Sequence, residues 1–424
     1  MKSPTLPLAL YAAATGLLEP LAPALLARRA GRGKEDPARL HERLARPTVQ
    51  RPEGPLVWLH GVSVGESLSL LPLIEALVAR PGLNLLVTSG TVTSAALLAQ
   101  RLPDGVIHQY APVDGPAAVT RFLDHWQPSA ALFVESELWP NLILAAKSRG
   151  VRLALLSARM TEASALGWSR YPASAHALLG SFDLVLPQDQ ATAARLLRLG
   201  AVVGPALNLK LVGKPPPVDP VMTEALKHAA EGRSIVMAAS THSGEERLIA
   251  EATRNAAADG PEAFLIIAPR HPDRGRTVAA EMAAIGFKVG RRTDQGFMSD
   301  NLNCYIFDTL GELGALYASA DVVVMGGSFV EGIGGHNPLE AARLGAAIVT
   351  GPHVANARSI YDAMLTEVAC VEAKDAEALT RHIRGLLDNF PIARRIGEAA
   401  LAYANRQGAA LDAAMALLEP LLPA

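Results

Sequence analysis

The chain has 424 residues, of which 50% are hydrophobic and 19% charged, and its formal net charge is −2. That length exceeds one ordinary core and implies two domains, and the near-neutral charge argues against a nucleic-acid binder. Cys304 and Cys370 are the only cysteines, which points to a reducing compartment and excludes a cysteine-based metal site.

Residues 6–27 are apolar with Glu19 as the one charge, carry prolines at 7, 20 and 23, and run into Arg28, Arg29, Arg32 and Lys34. The length approaches a membrane span. The prolines and the glutamate suit a helix lying in the interface equally well, and a buried first helix is the remaining alternative. The basic cluster suits anionic headgroups on the cytoplasmic side. Only Lys2 precedes the apolar run, which argues against a cleaved export signal. Residues 33–46 form a charged connector, expected to be helical and to lie against headgroups or in solvent.

From residue 56 onward, apolar runs alternate with helical periodicity. Leu56 to His60 reads as a strand, followed by a small-residue loop, Gly61 to Ser67, and a helix. Glu66 therefore stands at a strand-to-helix turn, placed either to accept a proton from a substrate hydroxyl or to complement the helix dipole. Leu83 to Thr88 is a second strand, ending in a hydroxyl-rich turn where Thr93 or Ser94 caps the next helix. Pro116 to Trp126 reads as a helix and Ala130 to Val134 as a strand. That strand closes on Glu135-Ser-Glu137-Leu-Trp139-Pro-Asn141, an acid pair suited to catalysis or to holding arginines. Arg152 to Leu156, Asp183 to Leu186, a helix from Asp189 to Leu199 and Val202-Val203 complete a doubly wound first half. Lys210 is either an anion ligand or a surface lysine.

Gly213 to Pro220 contains four prolines and reads as the linker. The second half repeats the alternation, with strands at Ile235 to Ala239, Phe264 to Ala268 and Cys304 to Phe307. Ser240 to Glu245 opens a helix in hydroxyls and glycine. Arg270 and His271 form a cation pair at a strand end that suits a phosphate or carboxylate, or else Arg270 makes a salt bridge. Val322 to Met325 is a strand that stops at Gly326-Gly327. Ser328, a second glycine pair (Gly334-Gly335), His336, Asn337, Pro338 and Glu340 follow. Asn337 as cap and Pro338 as first helical residue predict free backbone N–H groups and a helix dipole facing a ligand. A plain glycine-rich turn is the alternative. Ala347 to Thr350 is the next strand, and residues 373–424 are mostly helix.

Five motifs in order carry a family resemblance: His60-Gly-Val-Ser-Val-Gly-Glu66, Glu135 to Asn141, Ser157 to Ser164, Pro269-Arg-His271, and Gly326 to Glu340. Together with Arg32 to Asp36, they resemble the transferases of 3-deoxy-D-manno-octulosonic acid (Kdo). The resemblance runs from about residue 30 to 405. It departs at Gly61, where the family usually has alanine, and at Ala206 to Lys210, where it has a Gly-Asn-Leu-Lys segment.

The resemblance implies an α/β fold of GT-B type, two doubly wound Rossmann-like domains facing across a cleft, with an apolar membrane-associating helix at the amino end. The implied divisions are residues 1–30 for the membrane, 31–212 for the acceptor, 213–220 as linker, 221–405 for the CMP-sugar, and 406–424 as a tail helix on the first domain. The implied reaction is inverting transfer of Kdo from CMP-Kdo to lipid IVA at the cytoplasmic face of the inner membrane, with no cofactor or metal. Glu66 would be the base, with Glu135 or Glu137 holding the sugar or steadying its charge. Arg270, with Lys210, would meet the donor phosphate. The loop Gly326 to Glu340 would hold CMP, with Asn337 and Glu340 near the ribose or phosphate, and Ser240, His271, Ser328 and Gly335 would complete the donor site. The rival readings are a GT-B enzyme using a UDP-sugar on another membrane lipid, a UDP-sugar 2-epimerase, and a non-catalytic membrane-bound nucleotide sensor.

Overall fold

The computed structural model describes residues 4–258, 260–295 and 301–423. Residues 1–3 of the expected membrane segment and Ala424 of the tail lie outside them. The chain divides into two compact units, residues 1–213 with 409–424, and residues 214–408.

The first unit is built on six parallel strands: β1 (Leu56–His60), β2 (Asn84–Ser89), β3 (Ile107–Tyr110), β4 (Ala130–Val134), β5 (Arg152–Ala158) and β6 (Leu184–Pro187). Their order is β3-β2-β1-β4-β5-β6. Crossover helices cover both faces of a parallel sheet, so its central strands are apolar throughout; every residue of β1 and β4 is buried. Phe122, Trp126 and Ile143 pack on one face. Leu70 and Ile74 pack on the other, joined by Ala414, Leu418 and Leu422 from the end of the chain. The expected strand at Val202-Val203 is absent. Val202 is 89% exposed, and the chain there is tied only by Gly204 N–H to the carbonyl of Val185.

The second unit carries seven parallel strands: β7 (Ser234–Thr241), β8 (Ala263–Pro269), β9 (Val289–Arg291), β10 (Cys304–Ile306), β11 (Val322–Met325), β12 (Ala347–Thr350) and β13 (Val371–Glu372), in the order β13-β12-β11-β7-β8-β10-β9. The proline-rich segment enters this unit at the helix Pro220–Ala230, capped by Asp219. Gly314 is needed beside it, because a Cβ there would lie 2.0 Å from the Pro217 carbonyl oxygen.

Strand order reverses between β1 and β4 in the first sheet and between β7 and β11 in the second. Loops leaving the carboxyl ends of such neighbouring strands diverge to opposite faces and leave a crevice.

The amino end forms two helices, Leu6–Leu18 and Ala22–Ala30, joined by a 3₁₀ turn. Leu6–Ala30 is long and apolar enough to cross a membrane, by length and composition. Its polar side chains, however, are bonded to the first unit. Tyr11 donates to Asp114 Oδ2 at 2.9 Å, Asn141 donates to Thr15 Oγ1 at 2.9 Å, and the N–H groups of Ala117 and Ala118 donate to Glu19 at 2.9 and 2.7 Å. Leu6, Leu10, Leu17, Leu18, Leu21 and Leu25 face outward, each more than half exposed.

The connector that follows turns its glutamates inward. Glu35 is buried and holds Arg29 at 2.8 Å and Arg43 at 3.4 Å. Glu42, also buried, takes Arg39 and the N–H of Tyr110. Each carboxylate pairs inward because it is removed from water. Of the basic cluster, Arg29 is thus committed to Glu35, while Arg28, Arg32 and Lys34 are exposed.

Candidate active sites of the two units

The first crevice gathers its chemistry from the ends of β1 and β4. After β1 the chain turns through Gly61 into the helix Val64–Val78, with Ser63 as its N-cap. Glu66 Oε1 accepts the Ser63 hydroxyl at 2.8 Å, and Oε2 accepts Val62 N–H at 2.6 Å. Glu66 thus completes the cap at the helix N-terminus. The expected cap of the next helix is corrected. Thr91, not Thr93 or Ser94, is the N-cap, with Ser94 answering it in a capping box, so these hydroxyls serve the helix.

Past β4, Glu135 adopts a left-handed backbone, φ +59°. Ser157 near the end of β5 and Ser240 near the end of β7 do the same, at +51° and +55°. Such strain persists only where the surroundings enforce it. Lys210 Nζ lies 2.5 Å from Glu135 Oε1. A buried carboxylate needs a countercharge, and Lys210 of the same unit supplies it to Glu135.

Glu137 Oε2 accepts the Trp139 indole N–H at 2.6 Å. Burial pushes its carboxyl up to about 7; the Trp139 bond opposes the rise, and the charges of Glu66 and Glu135 add to it. Beside it is a residue that the sequence reading did not single out, His60, which is 1% exposed. Trp58 donates to Thr88 Oγ1 at 2.8 Å, and Thr88 Oγ1 also meets His60 Nδ1 at 2.8 Å. The other ring nitrogen of His60 is Nε2. That atom has no hydrogen-bond partner and lies 3.9 Å from Glu137 Oε2. Burial, with Arg43 nearby, pulls the imidazole down to about 3, so the ring is neutral. His60 and Trp139 line a cavity of about 380 Å³ with Arg29, Arg43 and Thr91. The arrangement offers a hydroxyl-bearing substrate a carboxylate to take its proton, a carboxyl that titrates near neutrality, and cations at the cavity wall.

In the second unit, Ser240, Arg270, His271, Gly326, Gly327 and His336 gather at the carboxyl ends of β7, β8 and β11. Gly326 is required for contact: a Cβ would lie 2.5 Å from the Ser240 carbonyl oxygen. The backbone N–H groups expected to be free are not. Gly327 N–H and Phe329 N–H donate to the fully buried carboxylate of Glu245 at 2.7 and 2.9 Å, and His242 N–H donates to it at 2.9 Å. Gly335 N–H donates to the Gly327 carbonyl at 2.7 Å. Ser328 is also corrected, since its hydroxyl, fully buried, donates to the Met325 carbonyl and accepts Gly351 N–H. The helix after Asn337 is a single turn, Leu339–Ala342, whose first N–H, of Leu339, donates to Asn337 Oδ1 at 3.0 Å as expected of a cap, but so short a helix contributes little dipole. Arg270, His271, Asn337 and Glu340 remain exposed and available to a ligand.

Comparison with known proteins bears on this geometry. Residues 38–212 match the family model for 3-deoxy-D-manno-octulosonic-acid transferase (kdotransferase), and residues 289–402 match glycosyl transferases group 1. A probable 3-deoxy-D-manno-octulosonic acid transferase, mitochondrial, from Arabidopsis thaliana is 37% identical over 365 residues, covering 84% of this chain and 82% of that protein. The 3-deoxy-D-manno-octulosonic acid transferase of Rickettsia bellii is 30% identical over 397 residues, 92% and 94% of the two chains. The chain belongs to the Kdo transferase family. A glycosyltransferase from Rickettsia africae matches in structure with a TM-score of 0.56 at 12% identity, covering 87% of this chain and 99% of that one, a likeness of fold.

In this Kdo transferase the predicted residues thus fall into two groups. Glu66, Glu135, Glu137 and Lys210 meet in the first unit, and the remaining predicted residues lie in the second. Sequence reasoning missed His60, His242 and Glu245. His60 had a signal, standing at a strand's carboxyl end before a glycine. Glu245 had none, since its partners are 82 and 84 residues away.

Proposed function

We propose that the chain transfers Kdo, with inversion, from CMP-Kdo to a glucosamine hydroxyl of lipid IVA, without a metal. The reading is carried by the convergence of Glu66, Glu135 and Glu137 at the β1/β4 switch point in a chain of this family. Glu66 takes the hydroxyl proton as the oxygen attacks the anomeric carbon. Glu135, its charge balanced by Lys210, and Glu137 face the developing positive charge on the sugar. In the second unit Arg270 meets the phosphate, and Asn337 and Glu340 meet the ribose or phosphate. The enzyme works at the cytoplasmic face of the inner membrane. There the outward leucines of Leu6–Ala30 enter the interface and Arg28, Arg32 and Lys34 meet anionic headgroups. The hydrogen bonds of Tyr11, Thr15 and Glu19 to the first unit favour a helix lying in the interface over one crossing it, because crossing would break them.

The test is transfer from freshly generated CMP-Kdo to lipid IVA by the purified full-length protein with EDTA present, read by mass spectrometry of the lipid. Gain of whole Kdo masses is expected. No gain from a folded protein, beside an active control transferase, would overturn the reading and turn attention to UDP-sugar donors.

A further inference from the structure

Three histidines meet at the second crevice. His242 Nε2 lies 2.9 Å from His336 Nε2. The two ring planes are 14° apart with centroids 5.1 Å apart, so the rings meet edge to edge. His271 stands perpendicular to His242 at 5.9 Å. Two imidazole nitrogens at hydrogen-bond distance must share one proton between them. Whichever ring donates its Nε2–H to the other, its own Nδ1 is left as the basic atom of the couple.

We propose that the His242–His336 couple takes up one proton when a nucleotide phosphate binds, and keeps it as the countercharge while the phosphate departs from the sugar. This rests on the proposed donor chemistry. In the transfer, the bond from the anomeric carbon to the phosphate oxygen breaks and its electron pair stays on phosphate. The acceptor oxygen forms the new bond and its proton passes to Glu66. The phosphate therefore gains one negative charge, and a protonated couple meets it without giving the proton up.

The surroundings suit a couple that is neutral when empty. The groups facing it are Arg270, His271 and Arg274, against Glu245 and Glu246. Glu245 is spent on three backbone N–H groups, and Glu246 Oε1 is held by Arg274 at 2.5 Å and the Thr241 hydroxyl at 2.9 Å. Burial, with the neighbouring cations, holds His336 down at about 4, and burial holds His242 below the usual imidazole range. An arriving dianion reverses that balance.

The experiment is calorimetric titration of the full-length protein with CMP at pH 7.5 in two buffers of different ionisation enthalpy, repeated from pH 7 to 8.5. Free CMP is already dianionic there, so an absorbed proton belongs to the protein. Uptake approaching one proton is expected, with Kd weakening up to about tenfold per pH unit. His242→Gln should still bind CMP but lose both the uptake and the pH dependence. CMP binding without uptake in the unaltered protein, or His242→Gln keeping the original pH slope, overturns the proposal while leaving the donor reading intact. No CMP binding at all overturns both.

Discussion

Replacing Glu137 by glutamine tests the first crevice through stability rather than activity. The carboxyl is raised from 4.5 to about 7, chiefly by burial, and its side chain is 16% exposed. At ~1.4 kcal/mol per pH unit, an ionised Glu137 costs the folded unit about 3 kcal/mol relative to the protonated form. The sign follows from which state holds the proton. Its contribution is fully present below pH 4.5, falls as the unfolded chain ionises, and is gone once the pH passes about 7. Glutamine cannot ionise, and its amide oxygen still accepts the Trp139 N–H. The stability of Glu137→Gln relative to the unaltered protein should therefore grow by about 2–3 kcal/mol between pH 4.5 and 8, then level off. All four tryptophans, at 58, 126, 139 and 168, lie in the first unit. Urea denaturation followed by tryptophan fluorescence thus reports that unit alone. Parallel stability curves for the two proteins across this range would refute the reasoning.

Glu66→Gln should retain CMP binding and lose transfer by about 10²-fold or more, as loss of a general base does; full activity would remove Glu66 from that role. Glu245→Gln should destabilise the second unit by about 1–3 kcal/mol, because the replacement turns an N–H donor toward backbone N–H groups, and hydrogen exchange at residues 326–329 should rise. Exchange unchanged there would mean the carboxylate is not what orders the loop. Leu10, Leu17 and Leu21 replaced together by serine should cut binding to vesicles containing anionic lipid by about tenfold or more, since each buried leucine is worth ~1.5–3 kcal/mol. Unchanged flotation with the vesicles would place the membrane contact elsewhere. Gly314→Ala should lower the calorimetric melting temperature of the second unit, because its Cβ has no room beside the Pro217 carbonyl; an unchanged melting temperature would mean that the chain before the helix Pro220–Ala230 moves freely.

The strands that the sequence revealed were those buried on both faces. β1, β4, β11 and β12 are nearly unbroken apolar runs because helices cover them twice. Ile107–Tyr110 escaped because His108 and Gln109 read as polar. Yet His108 is satisfied inside the fold by Ser89 at 2.9 Å and by Arg39 at 3.2 Å. The acid group at the first crevice was legible, since each carboxylate stands within six residues of the end of a strand. What each carboxylate touches was not: Lys210 meets Glu135 from 75 positions along the chain, and spacing says nothing about such a pair. The glycine-rich stretch misled for a related reason. Its glycines do mark close backbone approach, but the anion that fills the cradle is Glu245, a side chain of the protein itself.

Arg29 stands near the end of the same helical segment whose leucines face outward, and it lines the cavity with His60 and Trp139. The segment proposed to meet lipid and the segment that frames the first crevice are therefore mechanically continuous. On the proposed attachment, that continuity would set the height and tilt of the crevice over the bilayer at the same moment. An acceptor anchored in that bilayer would then meet the carboxylates by sliding in a plane, and the encounter would depend on lipid surface density rather than on concentration in bulk water.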